Sequence, residues 1–228
     1  MSGHFAVAID GPAGAGKSTV AKRVAGALDA IYLDTGAMYR AVGLYMLRNG
    51  IALDDTARIA RNAPRAQVDV RYVDGAQRVY LCGEDVSAAI RENPVSAAAS
   101  AVSAVPLVRE LLVARQREIA AGTNVVMDGR DIGTKVLPDA AVKVFLTAAA
   151  EVRARRRFLE LQAKGRAVPY EQLLEEIRQR DHNDSTRAAS PMVQAADAVL
   201  VDSSDMTIEE VVETIVALAK SRVGEARA

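Results

Sequence analysis

The most constraining feature of this chain is a glycine-rich loop directly after a short apolar run. Residues 5–9 are continuously apolar, and residues 11–18 read Gly-Pro-Ala-Gly-Ala-Gly-Lys-Ser. From Thr19 onward the apolar spacing is that of a helix. A strand, a loop of the pattern GxxxxGK[ST] and a helix in this order are typical of a phosphate-binding loop. Backbone N–H groups and the helix N-terminus face an anion in such a loop, so the sequence predicts a nucleoside triphosphate site.

Two side chains of this loop have separate predicted roles. We expect Lys17 to place a positive charge at the β and γ phosphates and Ser18 to offer its hydroxyl to Mg²⁺, the cofactor that this chemistry implies. The predicted triphosphate contacts are Gly11, Pro12, Ala13, Gly14, Ala15, Gly16, Lys17, Ser18 and Thr19. Switch GTPases, motor ATPases and small-molecule kinases all use such a loop. A guanine-specific switch is less favoured, because the chain contains no Asn-Lys-x-Asp sequence.

Four further apolar runs predict the rest of a sheet. They cover residues 31–33, 124–127, 142–146 and 198–201, and segments with helical spacing separate them. This alternation indicates an α/β fold with a doubly wound, five-stranded parallel sheet, whose ligands bind at the carboxyl ends of the strands. One region differs, since residues 68–86 alternate apolar and polar side chains around Asp-Gly and Gly turns. We predict a small antiparallel insert there, a candidate substrate module.

The charge balance restricts the partners. The chain has 29 Lys and Arg and 29 Asp and Glu residues, so it lacks the basic surplus that displaces counterions from nucleic acid. The single cysteine, Cys82, cannot form an internal disulfide, which fits a reducing compartment. No apolar run approaches the roughly 20 residues of a membrane span. We expect a cytoplasmic monomer that binds neither nucleic acid nor membrane.

Two polar clusters follow predicted strands, at residues 34–40 and 128–133. Each has a plain structural interpretation, a helix cap in the first and a turn in the second. Each also adds an arginine, Arg40 or Arg130, at the edge of the sheet where an anion is expected. The two clusters together favour a second anionic ligand beside the phosphate loop.

The charged helices of the last third leave two interpretations open. The arginines at 153, 155, 156 and 157 form either a solvated helix face or a lid over the triphosphate, because like charges on adjacent turns repel unless an anion is present. Arg180, Asp184 and Arg187 recur at i, i+4 and i+7. That row is either a surface salt-bridge row or a set of ligand contacts.

Together these segments resemble the bacterial cytidylate kinase family. The resemblance is carried by residues 11–18, 33–40, 83–86, 108–109, 128–133 and 180–187 and extends from about residue 5 to about 218. It implies transfer of the γ-phosphoryl group from ATP to CMP, and also to dCMP, with Mg²⁺ as cofactor. It also implies one P-loop kinase domain over residues 1–228, with a core of 1–60, 96–150 and 190–220, a monophosphate-binding insert of about 61–95 and a helical lid of about 150–170.

The resemblance further implies roles for individual residues. Thr35, Tyr39, Arg40, Arg130 and Arg187 would surround the monophosphate and its reacting oxygen, Ser100, Arg109 and Asp131 would read cytosine, and Arg180 and Asp184 would hold the ribose. Beside the resemblance, we expect Arg153 and Arg157 of the lid to contact ATP, and Lys17, Arg130, Arg187 and Arg157 to be catalytic. We also expect Asp34 and Asp128 to hold Mg²⁺ through intervening water.

The chemistry of cytosine agrees with two of these roles. Its N4 amino group is a donor that a carboxylate such as Asp131 would accept, and its N3 and O2 are acceptors for an arginine such as Arg109. Uracil has an acceptor at position 4 and a donor at N3, so the same pair would disfavour it. Two alternatives remain, another P-loop nucleotide or small-molecule kinase and a nucleotide-binding switch. A panel of phosphate acceptors with ATP distinguishes the first alternative from a CMP kinase. The dependence of ADP release on CMP distinguishes the second.

Overall fold

The five apolar runs form strands of one sheet. The computed structural model describes residues 4–225. Its strands are β1 (Ala6–Asp10), β2 (Ile31–Asp34), β3 (Val68–Val73), β4 (Ala76–Leu81), β5 (Glu84–Asp85), β6 (Val125–Gly129), β7 (Val142–Thr147) and β8 (Val199–Asp202). The parallel sheet has the order β2-β6-β1-β7-β8. The predicted α/β fold with five parallel strands is confirmed.

The register of this sheet explains where its strands end. All five strands extend by one or two residues beyond the apolar runs at their carboxyl ends, because the strand backbone continues into residues that are not apolar. β1 pairs with β6 so that Ile9 lies opposite Asp128 and Asp10 opposite Gly129. β1 also pairs with β7, and it is buried between these two neighbours. The carboxyl ends of β1 and β6 therefore place charged side chains side by side.

The helices follow the predicted pattern. They are α1 (Lys17–Ala27), α2 (Thr35–Arg48), α3 (Thr56–Asn62), α4 (Asn93–Ser103), α5 (Pro106–Gly122), α6 (Ala150–Ala163), α7 (Tyr170–Thr186) and α8 (Ile208–Glu225). At the N-terminus of α8, the backbone N–H of Glu210 donates to Thr207 Oγ1 at 3.2 Å, and that of Thr207 donates to Glu210 Oε2 at 2.8 Å. This reciprocal pair is a capping box. Among residues 4–225, no single helix is long and apolar enough to cross a bilayer, although α4 and α5, bent by 96°, meet those requirements as a pair.

The antiparallel insert is also present. β3, β4 and β5 form a separate three-stranded sheet, and β3 pairs with β4 from Val68 opposite Leu81 to Val73 opposite Ala76. Asp74 and Gly75 connect them with φ angles of 51° and 71°. Positive φ at both central residues is what a tight Asp-Gly hairpin turn requires, so the turn that the sequence predicts is confirmed.

The chain divides into two compact units. The first contains Met1–Ala30 and Asn124–Ala228, and the second contains Ile31–Thr123. The antiparallel sheet and helices α2 to α5 belong to the second unit, as does the whole of the predicted insert of about 61–95. Within it, α2 packs closely against α4, because a Cβ atom at Gly43 would lie only 2.9 Å from the Cβ of Ala98. Glycine at that position allows the two helices to approach.

Candidate active site

The phosphate loop of the first unit turns tightly between β1 and α1. Gly11, Gly14 and Gly16 have φ angles of 143°, 77° and 84°, which favour glycine. A Cβ atom at Gly11 would lie 2.0 Å from the carbonyl oxygen of Leu146 on β7, so a side chain does not fit there. Gly16 is the N-cap residue of α1. The loop therefore has the backbone conformation and the helix N-terminus that anion binding needs.

Lys17 is buried at the first position of α1. Its side chain donates to the carbonyl oxygen of Pro12 at 2.6 Å. Burial, together with the positive charges of Arg130 and Arg180, holds the pKa of Lys17 well below its usual range. Nearby carboxylates act in the opposite direction without reversing this shift. An anion beside these three cations would relieve their repulsion, so the electrostatics favour a negatively charged ligand here.

Ser18, the last residue of the loop, and Asp128 form a pair of side chains whose oxygens could be metal ligands. Ser18 Oγ donates to Asp128 Oδ2 at 2.9 Å, and Asp128 is only 5% exposed. Such oxygens suit Mg²⁺, which usually keeps several waters and takes few protein ligands when it binds nucleotide phosphates. Within the described part of the chain, no cluster of three or more His, Cys, Asp or Glu side chains is arranged to hold a metal ion. The residues therefore fit a Mg²⁺ ion that water and phosphate oxygens mainly coordinate.

Asp10, the last residue of β1, is a buried acid of this unit. Its Oδ1 and Oδ2 accept hydrogen bonds from the backbone N–H groups of Ile132 and Gly133, each at 2.7 Å. Burial raises the pKa of Asp10 to about 6, although the two backbone hydrogen bonds favour the ionised form. Ile132 and Gly133 directly follow Arg130 and Asp131. Asp10 thus links the end of β1 to a segment with two predicted site residues.

The charged residues predicted for the acceptor in this unit form two ion pairs. Arg130 Nε donates to Asp184 Oδ2 at 2.8 Å, and Arg187 Nη2 lies 3.8 Å from Asp131 Oδ1. Asp184 and Asp131 are 6% and 4% exposed. Asp184 is buried and pairs with a residue outside its own helix, so the surface salt-bridge interpretation of the row on α7 does not describe it. Arg187 lies just beyond the end of α7 rather than within the helix.

Arg153 is bound to the phosphate loop. It is 5% exposed, and its Nη1 donates to the carbonyl oxygen of Ala13 at 2.9 Å. Its Nη2 lies 2.7 Å from Asp181 Oδ2 on α7. A Cβ atom at Gly14 would lie 3.4 Å from the Arg153 Cβ. This arginine therefore connects α6 and α7 to the loop that carries the predicted triphosphate contacts.

The other arginines of α6 have different environments. Arg156 Nη2 donates to the carbonyl oxygen of Ser203, just after β8, at 2.6 Å. Arg157 is exposed and pairs with Glu160 at 2.9 Å, and Arg155 is also exposed. The four arginines therefore do not form one solvated face. Burial separates Arg153 from the exposed Arg155 and Arg157.

In the second unit, Asp34 joins β2 to α2. Its Oδ1 accepts from the backbone N–H of Ala37 at 2.9 Å, so it is a helix cap, as one interpretation of the sequence predicts. Its Oδ2 lies 3.6 Å from Arg40 Nη1 and 3.5 Å from Arg91 Nη2. The side-chain amide of Gln77 pairs with the backbone N–H and C=O of Asp34 at 2.7 and 3.3 Å. The predicted magnesium role of Asp34 stays a prediction.

The remaining predicted residues of the second unit lie on α2, α4 and α5. Thr35 and Arg109 are 3% and 5% exposed. The guanidinium carbon of Arg109 lies 5.6 Å from the centre of the Tyr39 ring, a cation–π distance. Ser100 is half-buried on α4, and its carbonyl oxygen accepts from the Ser103 hydroxyl at 2.8 Å. The structure thus brings Tyr39 and Arg109 together.

Several charged or polar residues of these arrangements were not predicted from the sequence. They are Asp10, Gln77, Arg91 and Asp181. Only Asp10 has a local signal, since it is an acidic residue at the end of a strand that is otherwise apolar. In the sequence, nothing distinguishes the other three residues from the exposed polar residues around them. Their contacts depend on partners that are distant in the sequence.

The fold and the phosphate loop together define a class of protein. A parallel α/β sheet carries the loop at the end of β1, and a buried lysine and several arginines gather beside it. These features are those of the P-loop kinases, which transfer phosphoryl groups by positioning and charge neutralisation.

Comparisons with known proteins specify this class further. The family model described as cytidylate kinase matches residues 7–221. The cytidylate kinase of Caldanaerobacter subterraneus subsp. tengcongensis is 55% identical over 220 residues, which are 96% of each chain. That of Mycobacterium avium is 53% identical over 228 residues, the whole of both chains. A gluconokinase structure from Sinorhizobium meliloti covers 98% of this chain and 97% of its own at 16% identity and a TM-score of 0.49. The family model and these sequence relatives show that the chain belongs to the cytidylate kinase family.

Proposed function

We propose that this protein transfers the γ-phosphoryl group of ATP to CMP, forming ADP and CDP. The observation that carries the proposal is the buried Lys17 beside the charges of Arg130 and Arg180 at the phosphate loop. Phosphoryl transfer requires alignment of two phosphates and neutralisation of their charge more than a strong base. The curated relatives named above are cytidylate kinases, whereas a nucleotide-binding switch has no support among them.

ATP would bind at the phosphate loop. Its β and γ phosphates would accept from the loop N–H groups and from Lys17, which would exchange the carbonyl oxygen of Pro12 for a phosphate oxygen. Ser18, with Asp128 behind it, would hold Mg²⁺. The ion, when bound, supplies charge neutralisation at the phosphate oxygens. The role of Mg²⁺ is supported by this pair of oxygen donors.

In the first unit, the acceptor would meet Arg130, Asp131, Arg180, Asp184 and Arg187. Arg130 and Arg187 each form an ion pair with a buried carboxylate. Their guanidinium groups are therefore already oriented before the phosphate of the acceptor binds. We assign Asp131 to the amino group of cytosine and Arg180 with Asp184 to the ribose. These assignments follow the family resemblance.

In the second unit, Thr35, Tyr39, Arg40, Ser100 and Arg109 are the proposed acceptor residues. Thr35 begins α2, where helix N–H groups favour a negative charge. Arg109 is held over the Tyr39 ring and is buried, which suits an arginine that donates to a base. Arg40 would bind the phosphate, with Asp34 as its counter-ion in the absence of ligand.

Arg157 provides a test of the proposed lid. It lies one helical turn beyond Arg153, which contacts the phosphate loop, so both arginines lie on one side of α6. We expect Arg157→Ala to lower kcat by about tenfold or more, since a charge-assisted contact to the transferring group contributes at least about 1.4 kcal/mol. The matched control is Arg155→Ala, which removes another exposed arginine of α6 and should change kcat by less than about twofold. Changes in kcat of less than about twofold for both substitutions, measured at saturating ATP and CMP, would show that both arginines belong to a solvated helix face.

The acceptor is tested with a panel of phosphate acceptors at fixed ATP. We expect product with CMP and dCMP and little with UMP, AMP or gluconate. A clear preference for any other acceptor would refute the assignment of substrate while retaining the class of enzyme. Activity on dCMP would support the prediction that the contacts to the ribose tolerate loss of the 2′-hydroxyl. The monomeric state and the cytoplasmic location stay predictions from the sequence.

A further inference from the structure

We propose that Asp10 is a positioning residue, whose carboxylate fixes the conformation in which Arg130 and Asp131 bind CMP. The proposal rests on the proposed function, because it concerns how that site is held in place. Asp10 lies outside the phosphate loop and outside the groups of residues to which a role in binding has been assigned above. All contacts that carry the proposal lie within the first unit.

The geometry of the two backbone hydrogen bonds supports this role. Residues Ile132–Val136 form a single π-helical turn, and the first N–H groups of a helical turn find no acceptor within the turn itself. Asp10 supplies an acceptor to two of them, at 2.7 Å each, from a position that is 5% exposed. The carboxylate therefore determines where the turn begins, directly after Arg130 and Asp131.

The chemistry of the site requires a carboxylate. An ionised carboxylate has two acceptor oxygens, whereas an asparagine amide has one acceptor and one donor. In Asp10→Asn, the NH₂ group would face a backbone N–H, and one buried donor would lose its partner. Gly133 lies directly beside the carboxylate, because a Cβ atom at this position would be in van der Waals contact with Asp10 Oδ2, at 3.4 Å.

The charged groups around Asp10 define how it responds to pH. Asp131, in the following segment, raises the pKa of Asp10, and Lys17, on α1, lowers it. Lys143 of the neighbouring strand β7 directs its ammonium group to Asp197 at 2.7 Å. Since burial is the largest influence and raises the pKa to about 6, the carboxylate accepts both hydrogen bonds above that pH. Below it, protonation places a hydrogen on one of the two oxygens and makes that oxygen a weaker acceptor, so the positioning weakens as the pH falls.

The raised pKa also determines how the contribution of Asp10 to stability depends on pH. A group whose pKa is raised in the folded protein contributes stability that is present below its unfolded-state pKa and is lost as the pH rises through the folded-state value. For Asp10 that window runs from the ordinary value of 3.8 to about 6. At neutral pH Asp10 is ionised and this contribution is absent. The two backbone hydrogen bonds therefore carry the proposed role in positioning.

The test compares the wild type with Asp10→Asn and with Asp205→Asn, which makes the same chemical change at an exposed acid of the same unit. We expect Asp10→Asn to raise the calorimetric Kd for CMP at pH 8 by at least about tenfold, or about 1.4 kcal/mol. The Kd for ATP should stay within about twofold, as should both constants in Asp205→Asn. The ratio of wild-type to Asp10→Asn kcat/KM for CMP should decline toward one as the pH falls below about 6.

Two results would overturn the proposal. One is a Kd for CMP within about twofold of the wild type, and the other is an equal weakening of ATP and CMP binding with a lower Tm. If Asp10→Asn does not fold, Asp10→Glu keeps both acceptor oxygens but moves them by one methylene group, and it should show the same selective loss of CMP binding. Normal CMP binding by Asp10→Glu would contradict the proposal. Absence of CMP-dependent ADP release in the wild type would instead refute the proposed function.

Discussion

Replacing Lys17 by alanine is expected to lower kcat for CMP phosphorylation by about a thousandfold or more, because a preorganised charge at the transferring group contributes several kcal/mol to transition-state stabilisation. The variant should remain folded. Burial and the adjacent charges of Arg130 and Arg180 disfavour the charged lysine in the folded protein, so its removal takes away a repulsion. Single-turnover measurements at saturating ATP and CMP separate the loss in the chemical step from weaker ATP binding.

Lys17→Met and Lys22→Ala are the matched controls for this experiment. Methionine retains most of the volume of the buried side chain and removes the charge, so it should reproduce the loss of activity. Lys22 is an exposed lysine of the same helix, and its replacement should leave kcat nearly unchanged. A rate near that of the wild type in Lys17→Ala would exclude the assignment of the phosphate loop.

The second large effect concerns the choice of base. If Asp131 accepts from cytosine N4 and Arg109 donates to N3 and O2, kcat/KM for CMP should exceed that for UMP by at least about tenfold, since a mispaired buried charge costs more than about 1.4 kcal/mol. Asp131→Asn should reduce this preference, because its amide offers uracil O4 a donor. The loss should fall on CMP and leave the KM for ATP little changed, since other residues bind ATP.

The geometry around Asp131 sharpens this test. Asp131 is 4% exposed and lies 3.8 Å from Arg187, so its neutralisation also removes the counter-ion of an arginine proposed to bind the monophosphate. That second effect acts on CMP and UMP alike, whereas the change of base preference appears only in their ratio. Asp139→Asn, at an exposed acid nearby in the sequence, is the control. A fixed CMP to UMP ratio with weaker ATP and CMP binding would make Asp131 a structural residue.

The fold was predictable because its signals are local. Each strand of the parallel sheet is a short apolar run, and Gly11, Gly14 and Gly16 mark the loop by a conformation that other residues rarely adopt. The antiparallel insert was equally visible, since Asp74 and Gly75 form the turn that their sequence favours. Elements of this kind depend on neighbouring residues, so the sequence alone contains the information.

The arrangement within the site was less predictable, because it depends on partners far apart in the sequence. Arg130 and Asp184 are separated by 54 residues, and the sequence suggested Asp184 as a member of a row along its own helix. Arg153 is one of four similar arginines, and only its position relative to Ala13, 140 residues earlier, makes it the buried one. Asp10 gave only a weak signal in the sequence. An aspartate that ends a strand is usually exposed to solvent, so the sequence does not show that this one is buried.

ADP release measured with and without CMP tests most directly whether this protein phosphorylates CMP with ATP. The rate with ATP and Mg²⁺ alone should be low, and addition of CMP should raise it strongly, with CDP formed in amounts equal to ADP. Equal rates of ADP release with and without CMP, and no CDP, would contradict the account and identify the protein as one that binds or hydrolyses ATP without an acceptor.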